Sequence, residues 1–181
     1  MKNALLILFC SALLMGCTKP KEEATEPAAD VKPPQAEIVT DSKYAEMAKK
    51  ALENLSSGNI DGFVSDFADS AVYYWSAGDS LAGKAAIIAY WKDRRGNVIE
   101  SLSYSDDIWL TIQVNEPQRG PDLKGIWLMG WWKTTVTYKN GQSVKPFWVH
   151  TDYHFNSSDK IDVVIQYIDR APINAALAAK K

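Results

Sequence analysis

His150, Asp152 and His154 stand two residues apart along one stretch of the chain, and Asp169 follows further on. Histidines and carboxylates are the side chains that move protons near neutral pH. The stretch Val144 to Phe155 is rich in β-branched and aromatic residues and reads as a strand. At about 3.3 Å per residue the two histidines then lie about 13 Å apart, too far to share an ion, so no metal site is expected. His150 and Asp152 fall about 7 Å apart on one face by the same rise, near enough for the carboxylate to poise the ring as a base. The plainer expectation is a cross-strand stack of His150 on Trp131. Asp169 ends the last strand, where a carboxylate reads first as a cap. His150, Asp152 and Asp169 are thus weak catalytic candidates.

Cysteine chemistry is confined to the start. The only two cysteines are Cys10 and Cys17, so the folded part has no disulfide, thiolate nucleophile or thiolate metal site. Lys2 followed by the apolar run Ala4 to Met15 has the length of a signal h-region, short for a spanning helix. It ends in Leu14-Met15-Gly16-Cys17, which resembles the lipobox of bacterial lipoproteins. That resemblance implies cleavage after residue 16 and acylation of Cys17, with palmitate or similar chains as a membrane anchor. Thr18, rather than Asp, after the cysteine implies sorting to the outer membrane, facing periplasm or cell surface. Residues 17–37 include four prolines and no aromatic side chain. They read as a disordered tether. The formal charge of −2 leaves no basic footprint, so no nucleic-acid partner is expected.

Residues 38–172 are left as one domain and 173–181 as a tail. Asp41 or Ser42 caps a helix to Ser57, with Ala48, Ala51, Leu52 and Leu55 on its apolar stripe and Gly58-Asn59 as its break. Ile60, Phe63, Val64 and Phe67 repeat that spacing. Ala71 to Trp75 is a short strand. Gly83 to Arg95 is a third helix, expected to bury Ile88 and Trp91 and to stop at Gly96. Strands follow: Ile108–Val114, Ile126–Tyr138, Val144–Phe155 and Lys160–Asp169. Asn140-Gly141 predicts a two-residue hairpin turn with positive φ at both positions. Helices first and then a run of antiparallel strands predict α+β architecture, a curved antiparallel sheet packed on three N-terminal helices.

The ordered set Gly58-Asn59-Ile60-Asp61, Phe67-Ala68-Asp69-Ser70-Ala71-Val72, Gly83-Lys84-Ala85-Ala86-Ile87, and Asp159-Lys160-Ile161 leading to Tyr167-Ile168-Asp169 resembles the SnoaL-like branch of the nuclear transport factor 2-like superfamily. The resemblance implies a cone-shaped domain with an apolar pocket between helices and sheet, often a homodimer through the sheet. It implies no single chemistry, since the superfamily mixes enzymes with binding modules. Isomerase relatives carry an acid where this chain has Trp75, and a first-helix tyrosine where Ala51 is nearest. Cyclase relatives carry a last-strand Asp where this chain has Gln166. An amide cannot accept a proton, which disfavours proton abstraction.

The Asn140-Gly141 turn sets Trp131 opposite His150, Met129 opposite Asp152 and Trp127 opposite His154. Trp132, Thr151 and Tyr153 then fall on the other, apolar face. A four-residue turn at Asn156–Asp159 adds Val164, Gln166 and Ile168 to it, and this face is expected to meet the helices. Tyr73, Trp75, Trp91, Trp132 and Tyr153 are the expected pocket lining, with Thr151 and Gln166 orienting a small apolar or sugar-like ligand. No cofactor is called for. The expected function is non-catalytic ligand binding or an accessory role in the envelope. The alternatives are a cyclase-, isomerase- or hydratase-type enzyme using the His/Asp pair or Asp169, and a dimeric docking scaffold.

Overall fold

The computed structural model describes residues 34–116 and 123–179. The leader, Cys17 and the tether as far as residue 33 lie outside them. Helix α1 (Lys43–Ser57) buries Ala48, Ala51, Leu52 and Leu55. It ends at Gly58, whose φ of 83° lets its N–H turn back onto the last carbonyls. The Asn59 side chain accepts the Gly62 N–H and starts the one-turn α2 (Ile60–Phe63). Ile60, Phe63, Val64 and Phe67 are all buried, as their spacing requires. By Phe67 the chain is already extended, in β2 (Phe67–Trp75).

Seven strands form one sheet in the order β1 (Ala36–Val39), β4 (Ile99–Val114), β5 (Gly125–Tyr138), β6 (Ser143–Phe155), β7 (Ile161–Tyr167), β2 and β3 (Ser80–Ala82). The sheet is mixed rather than purely antiparallel: β2 runs parallel to β7. The chain between them supplies the crossover that parallel pairing requires. Helices α1 to α3 pack on one face, with α3 at Lys84–Asp93. The core lies between, where Leu128, Trp132, Val149, Tyr153, Phe155 and Val164 of the sheet meet the α1 stripe.

Five local expectations are revised. Strand β1 includes Ala36 and Glu37, assigned above to the tether, because the edge of β4 offers them backbone partners. Strand β4 starts at Ile99, nine residues before the expected Ile108. Bulges near Ile99 and between Ser105 and Ile108, with Asp106 at φ 55°, break the alternation that would have revealed it. Helix α3 buries Ile87 rather than Ile88. It does not stop at Gly96 but continues as a π-helical turn, Arg94–Val98. Residues 171–178 of the expected tail form helix α4 (Ala171–Ala178), with Pro172 in its first turn.

The hairpin between β5 and β6 is the most instructive revision. Only Gly141 has positive φ, and the loop has three residues, Lys139-Asn140-Gly141, closed by Tyr138 N–H donating to the Gln142 carbonyl. This glycine-bulge geometry moves the first pairs to Val136↔Val144 and Thr137↔Ser143, one step from the expected register. A second bulge between Thr134 and Val136 restores it. From there Trp131↔His150, Met129↔Asp152 and Trp127↔His154 pair as anticipated. The Asn140 side chain accepts from Gln142 N–H at 3.0 Å and donates to the carbonyls of Ala176 and Ala179. The hairpin tip therefore ties down the end of α4.

Candidate functional site

A cavity of about 250 Å³ lies between the inner face of the sheet and helices α1, α3 and α4. Its walls follow from the two periodicities of the chain. On the sheet, every second residue of β5 and β6 faces inward, bringing Trp132, Thr134, Phe147, Val149 and Tyr153 to the lining. Along α3 and into the first residue of the π-helical turn, the stripe Ile87, Tyr90, Trp91, Arg94 follows i, i+3, i+4, i+7. Ile87 is buried, and the other three border the cavity.

The aromatic rings form a connected wall. Tyr73 lies 4.7 Å from Trp75, Trp75 5.1 Å from Tyr90, and Tyr90 5.3 Å from Trp91, ring centre to ring centre. On the opposite side Tyr104 meets Trp132 edge-on, and Trp109 stacks on Trp132 at 5.5 Å. Gly130 makes that stack possible: a Cβ there would come 2.4 Å from the Trp109 ring and 2.9 Å from that of Trp132. Tilted and edge-on pairs of this kind contribute about 0.5–1.5 kcal/mol each beyond their buried area, so the wall is stiff.

One polar track crosses the lining. The Trp75 indole N–H donates to Gln166 Oε1 at 3.2 Å, and Gln166 Nε2 donates to Thr151 Oγ1 at 3.3 Å. Cross-strand register sets these three side chains side by side, since Trp75 pairs with Gln166 and Gln166 with Thr151. The amide is thereby held in one orientation, with one N–H and one lone pair to spare. Two more buried polar atoms in the lining residues, Thr134 Oγ1 and Trp91 Nε1, have no hydrogen-bond partner. Burial pushes the hydroxyls of Tyr73, Tyr104, Tyr153 and Tyr90 up from the ordinary tyrosine range, so they remain neutral donors. Among the described residues that border the cavity there is no Asp, Glu or His; its charged groups are Arg94 and Arg170.

Six of the seven residues expected at the pocket border it: Tyr73, Trp75, Trp91, Trp132, Tyr153 and Gln166. Thr151 does not; it is fully buried and acts through Gln166. Tyr90, Arg94, Tyr104, Tyr138 and Arg170, together with Ile173, Asn174 and Leu177 of α4, also line the cavity and were missed. The α3 residues were accessible from the stripe through Trp91. The α4 residues sit on a short, alanine-rich segment with no distinctive pattern.

The proton-moving candidates lie elsewhere. His150 is on the outer face, stacked on Trp131 at 4.5 Å and 20° and on Tyr167 at 5.3 Å and 25°. This is the cross-strand stack that the register predicts. Its Nε2 is 3.0 Å from Asp152 Oδ1, close but not aligned as a hydrogen bond, which leaves that oxygen without a hydrogen-bond partner. Desolvation raises the Asp152 carboxyl above its ordinary range, outweighing the attraction of His150. Asp169 Oδ1 accepts the Ala171 N–H at 2.9 Å at the start of α4, a capping role. His154 is buried against Asp162 Oδ1 and the Lys124 carbonyl. No cluster of His, Cys, Asp or Glu among the described residues could hold a metal ion.

No protein-family model matches the chain, and no curated protein matches it in sequence. Solved structures do match. An LEH-like epoxide hydrolase from M. tuberculosis aligns with a TM-score of 0.56 at 13% identity, covering 75% of this chain and 90% of that one. An NTF2-like protein of unknown function from Burkholderia pseudomallei gives 0.58 at 14%, covering 77% and 100%. A protein with a ketosteroid isomerase-like fold from Catenulispora acidiphila, in complex with trimethylamine, gives 0.50 at 15%, covering 73% and 92%.

Asp152 yields a test of the outer face. A carboxyl whose folded pKa is raised binds protons more readily in the folded state, so stability falls as pH rises through the interval above about 3.8. Asp152→Asn, which removes the charge but keeps the shape, is expected to raise the unfolding midpoint at neutral pH. The gain should vanish below about pH 3.8, where the carboxyl is protonated in both states. Urea melts of both proteins at the two pH values measure this; a midpoint lowered at neutral pH would show that the His150 contact dominates.

The chain shares its fold with the NTF2-like protein from Burkholderia pseudomallei: a curved mixed sheet packed against helices, with an aromatic cavity between them.

Proposed function

We propose that this chain is an envelope lipoprotein whose domain binds a small, largely apolar ligand without transforming it. The observation that carries the reading is the cavity itself: walled by aromatic rings, supplied with one held amide, and bordered by no carboxylate or imidazole among the described residues. Tyrosines whose hydroxyls are pushed upward by burial do not serve as bases near neutral pH. The M. tuberculosis neighbour is an epoxide hydrolase, but a shared fold at 13% identity carries no activity with it. Catalysis of a cyclase, isomerase or hydratase kind by His150 and Asp152, or by Asp169, is the weaker reading, because none of the three borders the cavity.

Methyl naphthoate, a flat neutral probe, tests the pocket through quenching of tryptophan fluorescence. Trp75→Ala and Gln166→Ala are each expected to weaken its binding about tenfold, the equivalent of about 1.4 kcal/mol in lost packing and hydrogen bonding. Affinity unchanged in both variants would sink the reading.

The anchor rests on Leu14-Met15-Gly16-Cys17, and the outer membrane is the destination that Thr18 favours. Cells grown with labelled palmitate should show label on the wild-type chain and none on Cys17→Ser. Label retained by the variant would remove Cys17 as the acylated residue.

Self-association through the outer face of the sheet is supported by the exposure there of Ile108, Leu110, Trp148 and Tyr167. Sedimentation at micromolar concentration should give twice the chain mass for the wild type and a monomer for Trp131→Asp. A wild-type monomer would exclude the dimer.

A further inference from the structure

The cavity carries an uneven charge that a purely apolar ligand does not use. Arg94 and Arg170 both border it, and the two are differently committed. Arg170 pairs with Asp79 at 2.9 Å and lies over the Trp75 ring at 5.6 Å. The Arg94 guanidinium has no hydrogen bond or ion pair with any described residue. Its neighbour Arg95 is employed structurally, donating to the Ser56 carbonyl. Arg94, Arg170 and Tyr90 all border the cavity, and both cations act electrostatically on the Tyr90 hydroxyl. Asp79 and Asp93 act on the same hydroxyl from the opposite sign. Asp79 is held by Arg170, and Asp93 accepts the Asn97 amide N–H. Among the described residues no carboxylate lining the cavity balances Arg94. Thr134, 6% exposed, presents a hydroxyl without a partner among the lining side chains.

A guanidinium that borders an apolar cavity without a counter-charge is the recognition element for a planar anion. It offers paired N–H donors at the spacing of two carboxylate oxygens, and the aromatic walls lower the local dielectric that would otherwise weaken the pair. A single free guanidinium suits one negative charge rather than the two of a phosphate. Resting on the binding reading above, we propose that the ligand is a flat apolar carboxylate, its ring system lying against Trp75 and Trp132 and its carboxylate on Arg94. Gln166, whose amide keeps one N–H and one lone pair free, and the Thr134 hydroxyl would take up any polar substituents on the ring.

The test compares naphthoate with methyl naphthoate on the full chain, by tryptophan fluorescence quenching and calorimetry. The wild type is expected to bind the acid about tenfold more tightly than the ester, the usual range for a charge-assisted bidentate pair. Raising the salt concentration should narrow that difference. Arg94→Ala should bring the acid down to the affinity of the ester, and Arg94→Lys should restore part of the preference. Arg94→Gln serves the same purpose if the alanine variant does not fold. Acid and ester bound equally by the wild type, with ester binding still weakened in Trp75→Ala, would overturn the carboxylate assignment and leave the pocket reading standing. Failure of both probes to bind would overturn the two together.

Discussion

The parallel pairing of β2 with β7 is the constraint from which the cavity follows. It sets Trp75 beside Gln166, and the antiparallel ladder continues the same row through Thr151, Gly130 and Trp109. Five residues from five strands thus form one rung across the sheet. Each has a distinct part: an indole donor, an amide that relays, a hydroxyl that receives, a gap, and a second indole that fills the gap and stacks on Trp132. A shift of β7 by one residue would turn Gln166 to the outer face and leave the Trp75 N–H buried without its partner, at a cost of about 1–3 kcal/mol. The side-chain chain of hydrogen bonds and the strand register therefore reinforce one another.

The same sheet separates two chemistries by its alternation. Inward residues of the sheet make an aromatic wall with no carboxylate or imidazole among the described residues. Outward residues gather the imidazole and carboxylate groups, with His150 sandwiched between Trp131 and Tyr167 and His154 buried on Asp162. Groups that could exchange protons are kept from the cavity by nothing more than the period of two along β6. Asp152 is desolvated on that outer face without a well-aligned partner for its Oδ1, which raises its carboxyl above the ordinary range. The same face exposes the large apolar side chains Ile108, Leu110, Trp148 and Tyr167.

Much of this was legible beforehand because it depends on local periodicity. The stripes of α1 and α2, the two faces of the β5–β6 ribbon, and the membership of Trp132, Tyr153 and Gln166 in one apolar face follow from spacings of 3.6 or 2 and the turns between strands, whereas Trp75 was placed at the pocket by the family resemblance. What escaped was whatever breaks those periods. Bulges hid the first half of β4, and an alanine-rich segment without polar contrast hid α4. The Asn140-Gly141 turn was recognised, but its type was not. The Asn140 side chain holds the end of α4, a partner some 36 residues away, and the three-residue loop with its compensating bulge goes with that contact.

By itself the sequence determined the order of elements, the faces of the helices and central strands, and the absence of cysteine chemistry from the domain, since each is a matter of residue type and near-neighbour spacing. Only the tertiary structure decided that β2 lies parallel to β7, that the Asn140 side chain holds the end of α4, and that α4 completes the cavity wall. Those three depend on which distant segments meet. That choice is set by the summed burial of many side chains and the closure of all backbone hydrogen bonds, quantities that no short window of residues contains.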